Sequence, residues 1–204
     1  MSSLNTDFNE LMERVRAGRE FGHASFEPIF YLIFDPQKIL KIKRQLPAWA
    51  AKLRNEGWDV HVFSMAKAVQ EVFDEMPVFV KKTWEKQDSA ALENRDAAAN
   101  LGLQWQKTNK SLAEALTKKN ALQNKLEAKL SDLEGKPNSI LLVSDIEALH
   151  PYLRIGSMES QLQGKFHVPT IFFYPGMRTG KTQLKFLGFY PEDGNYRSVH
   201  VGGR

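Results

Sequence analysis

Two aspartates and two arginines are the residues of this chain best placed to do chemistry. Asp35 follows the apolar run from Ile29 to Phe34, and Asp145 comes two residues after the run from Ile140 to Val143. Each thus falls just past the C-terminal end of an expected strand, the edge where open α/β sheets hold ligands. Two carboxylates there could hold Mg²⁺, with phosphate oxygens as the remaining ligands. An Asp directly before a helix is also the ordinary N-cap, so both readings stand. Arg154 lies two residues from Tyr152, and Arg197 lies next to Tyr196. A guanidinium braced by a ring makes a fork for a carboxylate, a phosphate or backbone carbonyls. The same side chains could instead tie down strand and helix ends within the fold.

Other chemistries find little support. Gly180-Lys181-Thr182 looks like the end of a phosphate loop, but only three residues separate Gly176 from Gly180 where four are required. The residues after it, Gln183 to Phe189, read as a strand, so no helix N-terminus would face a phosphate. The histidines at 23, 61, 150, 167 and 200 show no metal-ligand spacing, and His61 reads as a satisfied strand residue. There is no cysteine, and Ser144 is not in a Gly-x-Ser-x-Gly elbow. No cofactor is implied.

These residues are positioned by an alternation of strands and helices. Leu4, Phe8, Leu11, Met12 and Val15 predict an opening amphipathic helix stopped by Gly18. Ile29 to Phe34 reads as a buried strand handing over at Asp35-Pro36 to a helix that breaks at Pro47, resumes through Trp49, Ala50 and Leu53, and ends at Gly57. Trp58 to Phe63 is a second strand, with Ser64 capping a helix whose apolar face is Met65, Val69, Val72, Phe73 and Met76. Ile140 to Val143, Val168 to Tyr174 and Leu184 to Phe189 supply three more strands, the last two joined as an antiparallel hairpin. A short helix through Met158 and Leu162 precedes the hairpin, and Tyr196 to Val201 is expected to complete a meander. The expected fold is α/β: a single mixed sheet, parallel in its N-terminal strands and antiparallel in its C-terminal meander, flanked by helices.

One domain over residues 1–204 is expected, with a helical insertion at 78–136. In that insertion Leu101, Trp105, Leu112, Leu116, Leu122, Leu126, Leu130 and Leu133 line one stripe, with Lys119 the only charge in its middle. A single helix from Ala98 to Glu134 would be roughly 55 Å long, more than a small domain's diameter. Its apolar face must meet its own core, a twin copy or another protein, which makes Leu112, Leu116, Leu126 and Leu130 candidate partner contacts. Packing on the antiparallel neighbour at 78–96 is the plain alternative.

With 28 basic and 24 acidic side chains the net charge is +4, which permits nucleic-acid contact without requiring it. Lys38, Lys41, Lys43 and Arg44 form the nearest approach to a cluster, but Ile39, Leu40, Ile42 and Leu46 between them make this the solvated side of an amphipathic helix. With no cysteine, no signal-like start and no long apolar run, the expected address is the cytoplasm.

The order of short motifs in the last third adds a resemblance. Ile140-Leu141-Leu142-Val143-Ser144-Asp145, His150-Pro151-Tyr152-Leu153-Arg154, Phe172-Phe173-Tyr174-Pro175-Gly176, Leu184-Lys185-Phe186-Leu187-Gly188 and Asn195-Tyr196-Arg197-Ser198 follow one another as in the BrxB family of bacteriophage-exclusion (BREX) systems. Tyr31 to Pro36 and Gly57 to Met65 also resemble that family's opening half, while residues 84–137 carry least of its pattern. The resemblance implies a small, non-enzymatic component of a phage-defence locus. It implies as partner PglZ, the alkaline-phosphatase-superfamily protein of the same systems, with other BREX subunits as further candidates. Arg154, Tyr196 and Arg197 join the leucines as candidate partner contacts. Two rivals remain: a DNA-binding component using Lys38, Lys41, Lys43, Arg44 and the lysines of the insertion, and a Mg²⁺-dependent nucleotide or nucleic-acid enzyme using Asp35 and Asp145.

Overall fold

The computed structural model describes residues 4–20, 27–93, 98–180, 183–194 and 198–203, with backbone alone at 19–20, 91–93 and 98–105. At its centre lie three strands, β1 (Ile29–Phe34), β3 (Ser139–Ser144) and β4 (Thr170–Thr179), with β2 (Asp59–Ser64) at one edge and β7 (Val199–Gly202) at the other. The sheet order is β2-β3-β4-β1-β7, with all these pairs parallel. Two antiparallel strands, β5 (Gln183–Phe186) and β6 (Glu192–Asp193), extend the sheet from the far half of β4.

The continuous apolar runs are explained by burial of both sheet faces. Ile29, Tyr31 and Ile33 of β1 point into one core with Leu141, Val143, Phe172 and Tyr174. Phe30, Leu32 and Phe34 point into the other with Ile140, Leu142, Ile171 and Phe173. Strands covered on both sides lose the polar alternation of a half-exposed sheet. Helices α1 (Leu4–Glu20) and α2 (Ile39–Asn55) cover the second core. Helices α3 (Met65–Asp74), α6 (Ala121–Leu133) and α7 (Ile155–Gln161), with the end of α5 (Ala98–Thr117), cover the first. α4 (Val78–Glu93) packs on α5.

Five expectations need correction. α1 runs through Gly18 to Glu20, because nothing there demands a left-handed backbone and the bare glycine leaves room for the Phe30 ring. α2 continues through Pro47; the cost of the lost hydrogen bond is offset by burial of Ile42, Trp49, Ala50 and Leu53 on one face. The expected long rod is two helices, since Lys119 (φ 54°) and Asn120 (φ 57°) turn left-handed between α5 and α6. That turn folds the leucine stripe back: Leu116, Leu122, Leu126, Leu130 and Leu133 are all buried in the chain's own core, against α3 and the sheet rather than only against 78–96. Finally, the last strand does not close the meander; β7 crosses back to lie parallel to β1, with Tyr31 opposite His200. The antiparallel part is β4-β5-β6, and β4 runs on to Thr179, so the hairpin turn is tighter than expected.

Candidate functional site

The C-terminal edge of the parallel strands holds both aspartates, and the structure separates their roles. Asp35 caps the short 3₁₀ turn Pro36–Lys38, its Oδ1 accepting from the Gln37 amide at 2.9 Å. Asp145, at φ 60°, caps nothing. Its Oδ2 accepts from Ser64 (2.6 Å) and Ser144 (2.9 Å), and its Oδ1 meets the Lys43 ammonium at 2.8 Å. Lys43 also reaches Glu147 at 2.8 Å. Burial works to raise the Asp145 carboxyl's pKa, but the bonds from Lys43, Ser64 and Ser144 outweigh it and hold it below the usual carboxylate range. Lys43 is correspondingly raised by Asp145 and Glu147, against the pull of its partial burial. An ammonium thus occupies the position that a divalent cation would take on Asp145. Among the described residues no group of three His, Cys, Asp or Glu side chains is arranged to hold a metal.

Arg154 is where a braced guanidinium is found. β3 delivers the chain through the turn Ile146–Leu149, whose Ile146 and Leu149 are buried, to His150 and then to Arg154 at the start of α7. The guanidinium carbon lies 3.2 Å from the centroid of the Tyr190 ring and 5.8 Å from that of Phe186. The brace is therefore Tyr190, from the segment after β5, and not the neighbouring Tyr152, which packs edge-on against Phe73. Tyr190 is itself fixed by a hydrogen bond between its hydroxyl and His150 Nδ1, and by the Phe186 and Phe189 rings. Burial and the Arg154 charge lower the His150 pKa, which favours the neutral ring that can accept from Tyr190. No carboxylate of the described residues forms an ion pair with Arg154 within 4.0 Å. Its donors therefore face a cleft of ≈ 660 Å³ between α7 and the Pro191–Gly194 segment. Next to Tyr190 in the chain, Phe189 stands 64% exposed, packed edge-on against His150 and lining a separate cavity with Asp35 and Arg178.

Two members of this site carried no motif. Tyr190 is brought to Arg154 only by the β5 turn. Glu159 lies at the floor of the cleft, 8% exposed, its Oε2 accepting from the Tyr31 hydroxyl at the centre of the sheet. A signal for Glu159 was present: it falls between Met158 and Leu162 and one turn after Ile155, a carboxylate on the apolar face of a helix.

The remaining candidates are distributed as follows. Tyr196 and Arg197 lie outside the described residues, as does His23. Leu116, Leu126 and Leu130 are covered by the chain's own core, and Leu112 is half-buried on α5, so no free leucine stripe is presented among the described side chains. Lys38, Lys41 and Arg44 are exposed on the outer side of α2 and its entry turn, the solvated side expected, while Lys43 turns to Asp145. No helix of the described residues is long and apolar enough to cross a membrane.

A protein-family model described as "BREX protein BrxB" matches residues 90–201, more than half of the 204-residue chain. The match contains Asp145, Arg154, Glu159, Phe189 and Tyr190. It begins within the 84–137 stretch and leaves out Tyr31 to Pro36 and Gly57 to Met65. No curated protein and no solved structure matches the chain.

Proposed function

The chain belongs to the BrxB family and is thereby a component of BREX defence; on that premise we propose that it is a non-catalytic interaction subunit that binds PglZ and assembles or regulates it. The observation that carries this reading is the Arg154 guanidinium, held over the Tyr190 ring with no carboxylate partner among the described residues. A side chain already ordered on a ring loses little further freedom when it engages a partner, and its planar fork suits a carboxylate or a run of carbonyls. Exposed Phe189, next to Tyr190 in the chain, adds the kind of aromatic anchor that concentrates interface energy. Both lie in the segment that carries the family match. Asp145 does not favour a metal-dependent enzyme, because its oxygens are engaged by Lys43, Ser64 and Ser144.

Co-expression with PglZ from the same locus, followed by size exclusion at moderately high salt, tests this reading. A joint peak is expected for the wild type, and Arg154→Ala and Phe189→Ala are each expected to weaken the complex by at least about tenfold while leaving the fold intact. Separate peaks for the wild-type pair at both low and high salt would reject it. A DNA-binding component using Lys38, Lys41 and Arg44, which are exposed without ion pairs among the described residues, would then come first.

A further inference from the structure

The floor of the Arg154 cleft is a carboxyl group that the fold buries and leaves without a cation. Glu159 is more than nine-tenths buried, and only its Oε2 is used, by the Tyr31 hydroxyl; Oε1 has no hydrogen-bond or ion-pair partner among the described residues. Glu192 and Asp193 add carboxylates to the cleft wall, and Arg154, lying on the Tyr190 ring, is the one cation among the described lining residues. Burying a carboxylate costs several kcal/mol unless a counter-charge arrives, so a site of this kind is completed by what enters it.

We propose that the cleft receives a cationic side chain of the partner protein, an Arg guanidinium or Lys ammonium, held by Glu159 at the floor. This rests on the interaction-subunit reading only for the identity of the protein that carries the cation. The charged and titratable groups around Glu159 are consistent with it. Glu27, before β1, and Asp193, on β6, both raise the Glu159 pKa. Tyr31, on β1, donates to it, and His200, on β7, packs edge-on against the same Tyr31 ring. Burial, more than these neighbours, lifts the Glu159 carboxyl to about 7. An arriving cation favours the ionised form, so at pH 6 binding expels the proton, and affinity rises as pH passes 7.

Two arms test the site and its carrier separately. In the first, agmatine, a free guanidinium and ammonium in one small molecule, is titrated into the protein alone and followed by amide chemical shifts at pH 6 and pH 8. Saturable shifts at Ser157 to Ser160 and at Asp193 are expected, tighter at pH 8 and at least about tenfold weaker in Glu159→Gln. Glutamine keeps an acceptor for Tyr31, and Asp193→Asn at the half-buried rim is the second variant should the buried exchange cost the fold. No shifts at the cleft, or the same titration in both variants, overturns the proposal. In the second arm, calorimetry of PglZ binding in two buffers of different ionisation enthalpy is expected to show up to about one proton released at pH 6, lost in Glu159→Gln. Proton release unchanged in that variant also overturns it. Agmatine binding by the wild type without any PglZ binding would instead reject PglZ as the carrier, and with it the reading of the previous section.

Discussion

At the scale of single residues, Glu159 and His200 pull the stability of the molecule in opposite directions. Burial pushes the Glu159 carboxyl up to about 7 and the His200 imidazole down to about 4. As pH rises from about 4.5 to about 7, unfolded chains lose a proton that folded Glu159 keeps, so its contribution to stability falls. As pH drops from about 6.5 to about 4, unfolded chains gain a proton that folded His200 refuses, so stability falls in that direction too. Between about pH 4.5 and 6.5 the two slopes offset each other. Glu159→Gln removes the first alone. Its urea midpoint is expected to rise with pH from 4 to 6.5, and relative to the wild type to gain up to about 3 kcal/mol between pH 4 and pH 8. A difference between the two proteins that does not change with pH would show that Glu159 is not buried as described. Asp145 makes a second residue-scale prediction. Asp145→Ala removes the acceptor of the Ser64 and Ser144 hydroxyls and leaves the Lys43 ammonium with Glu147 alone, and is expected to cost about 2 kcal/mol by denaturant unfolding. Asp145→Asn should cost less, because asparagine keeps an acceptor and tolerates the left-handed backbone. Equal losses would argue against the network.

At the scale of elements, the last strand depends on one glycine. Gly202 pairs with Ile33 at the edge of the sheet with φ +81°, and a Cβ there would sit 2.3 Å from the Ile33 carbonyl oxygen. Gly202→Ala is expected to cost about 3 kcal/mol, from the left-handed strain and the clash together, seen as a lower urea midpoint. An unchanged midpoint would mean that β7 does not lie on β1 in this register. Much at this scale was legible in the chain itself. The continuous apolar runs of β1, six residues, and β3, four residues, read as strands covered on both faces, and Ser64 caps α3 as its position foretold, accepting from the Lys67 amide. What local pattern could not supply was the break at Lys119 and Asn120, because neither is a glycine and their neighbours keep the helical stripe intact. The continuity of α2 through Pro47 was equally hidden, since it depends on apolar burial of both half-helices against the sheet.

At the scale of the whole molecule, the part of the leucine stripe from Leu116 to Leu133 is consumed by the first core. The partner surface we propose is the far end of the sheet, where the β4-β5 hairpin, the Tyr190 segment and α7 meet. An interface built on Phe189, with Arg154 engaging at its centre, should hold at raised ionic strength, whereas contacts through Lys38, Lys41 and Arg44 would be screened away. The PglZ complex is accordingly expected to change its dissociation constant by less than about tenfold between low and roughly 0.5 M salt, measured by calorimetry. A loss of several hundredfold would move the interface to the basic side of α2.

The sequence by itself determined the element types, the parallel core, the double-faced burial of the central strands and, through the order of its C-terminal motifs, the family. The elements, the pairing and the burial follow from periodicity, capping and composition, which act over a few residues; the family follows from the order of the motifs alone. Only the tertiary structure decided which charges meet. Arg154 stacks on Tyr190, Lys43 crosses to Asp145, Glu159 finds Tyr31, and β7 returns to β1. Each of these contacts joins residues 36 to 169 positions apart in the chain. Such a contact is set by the crossing of elements over a shared sheet, and no local spacing records it.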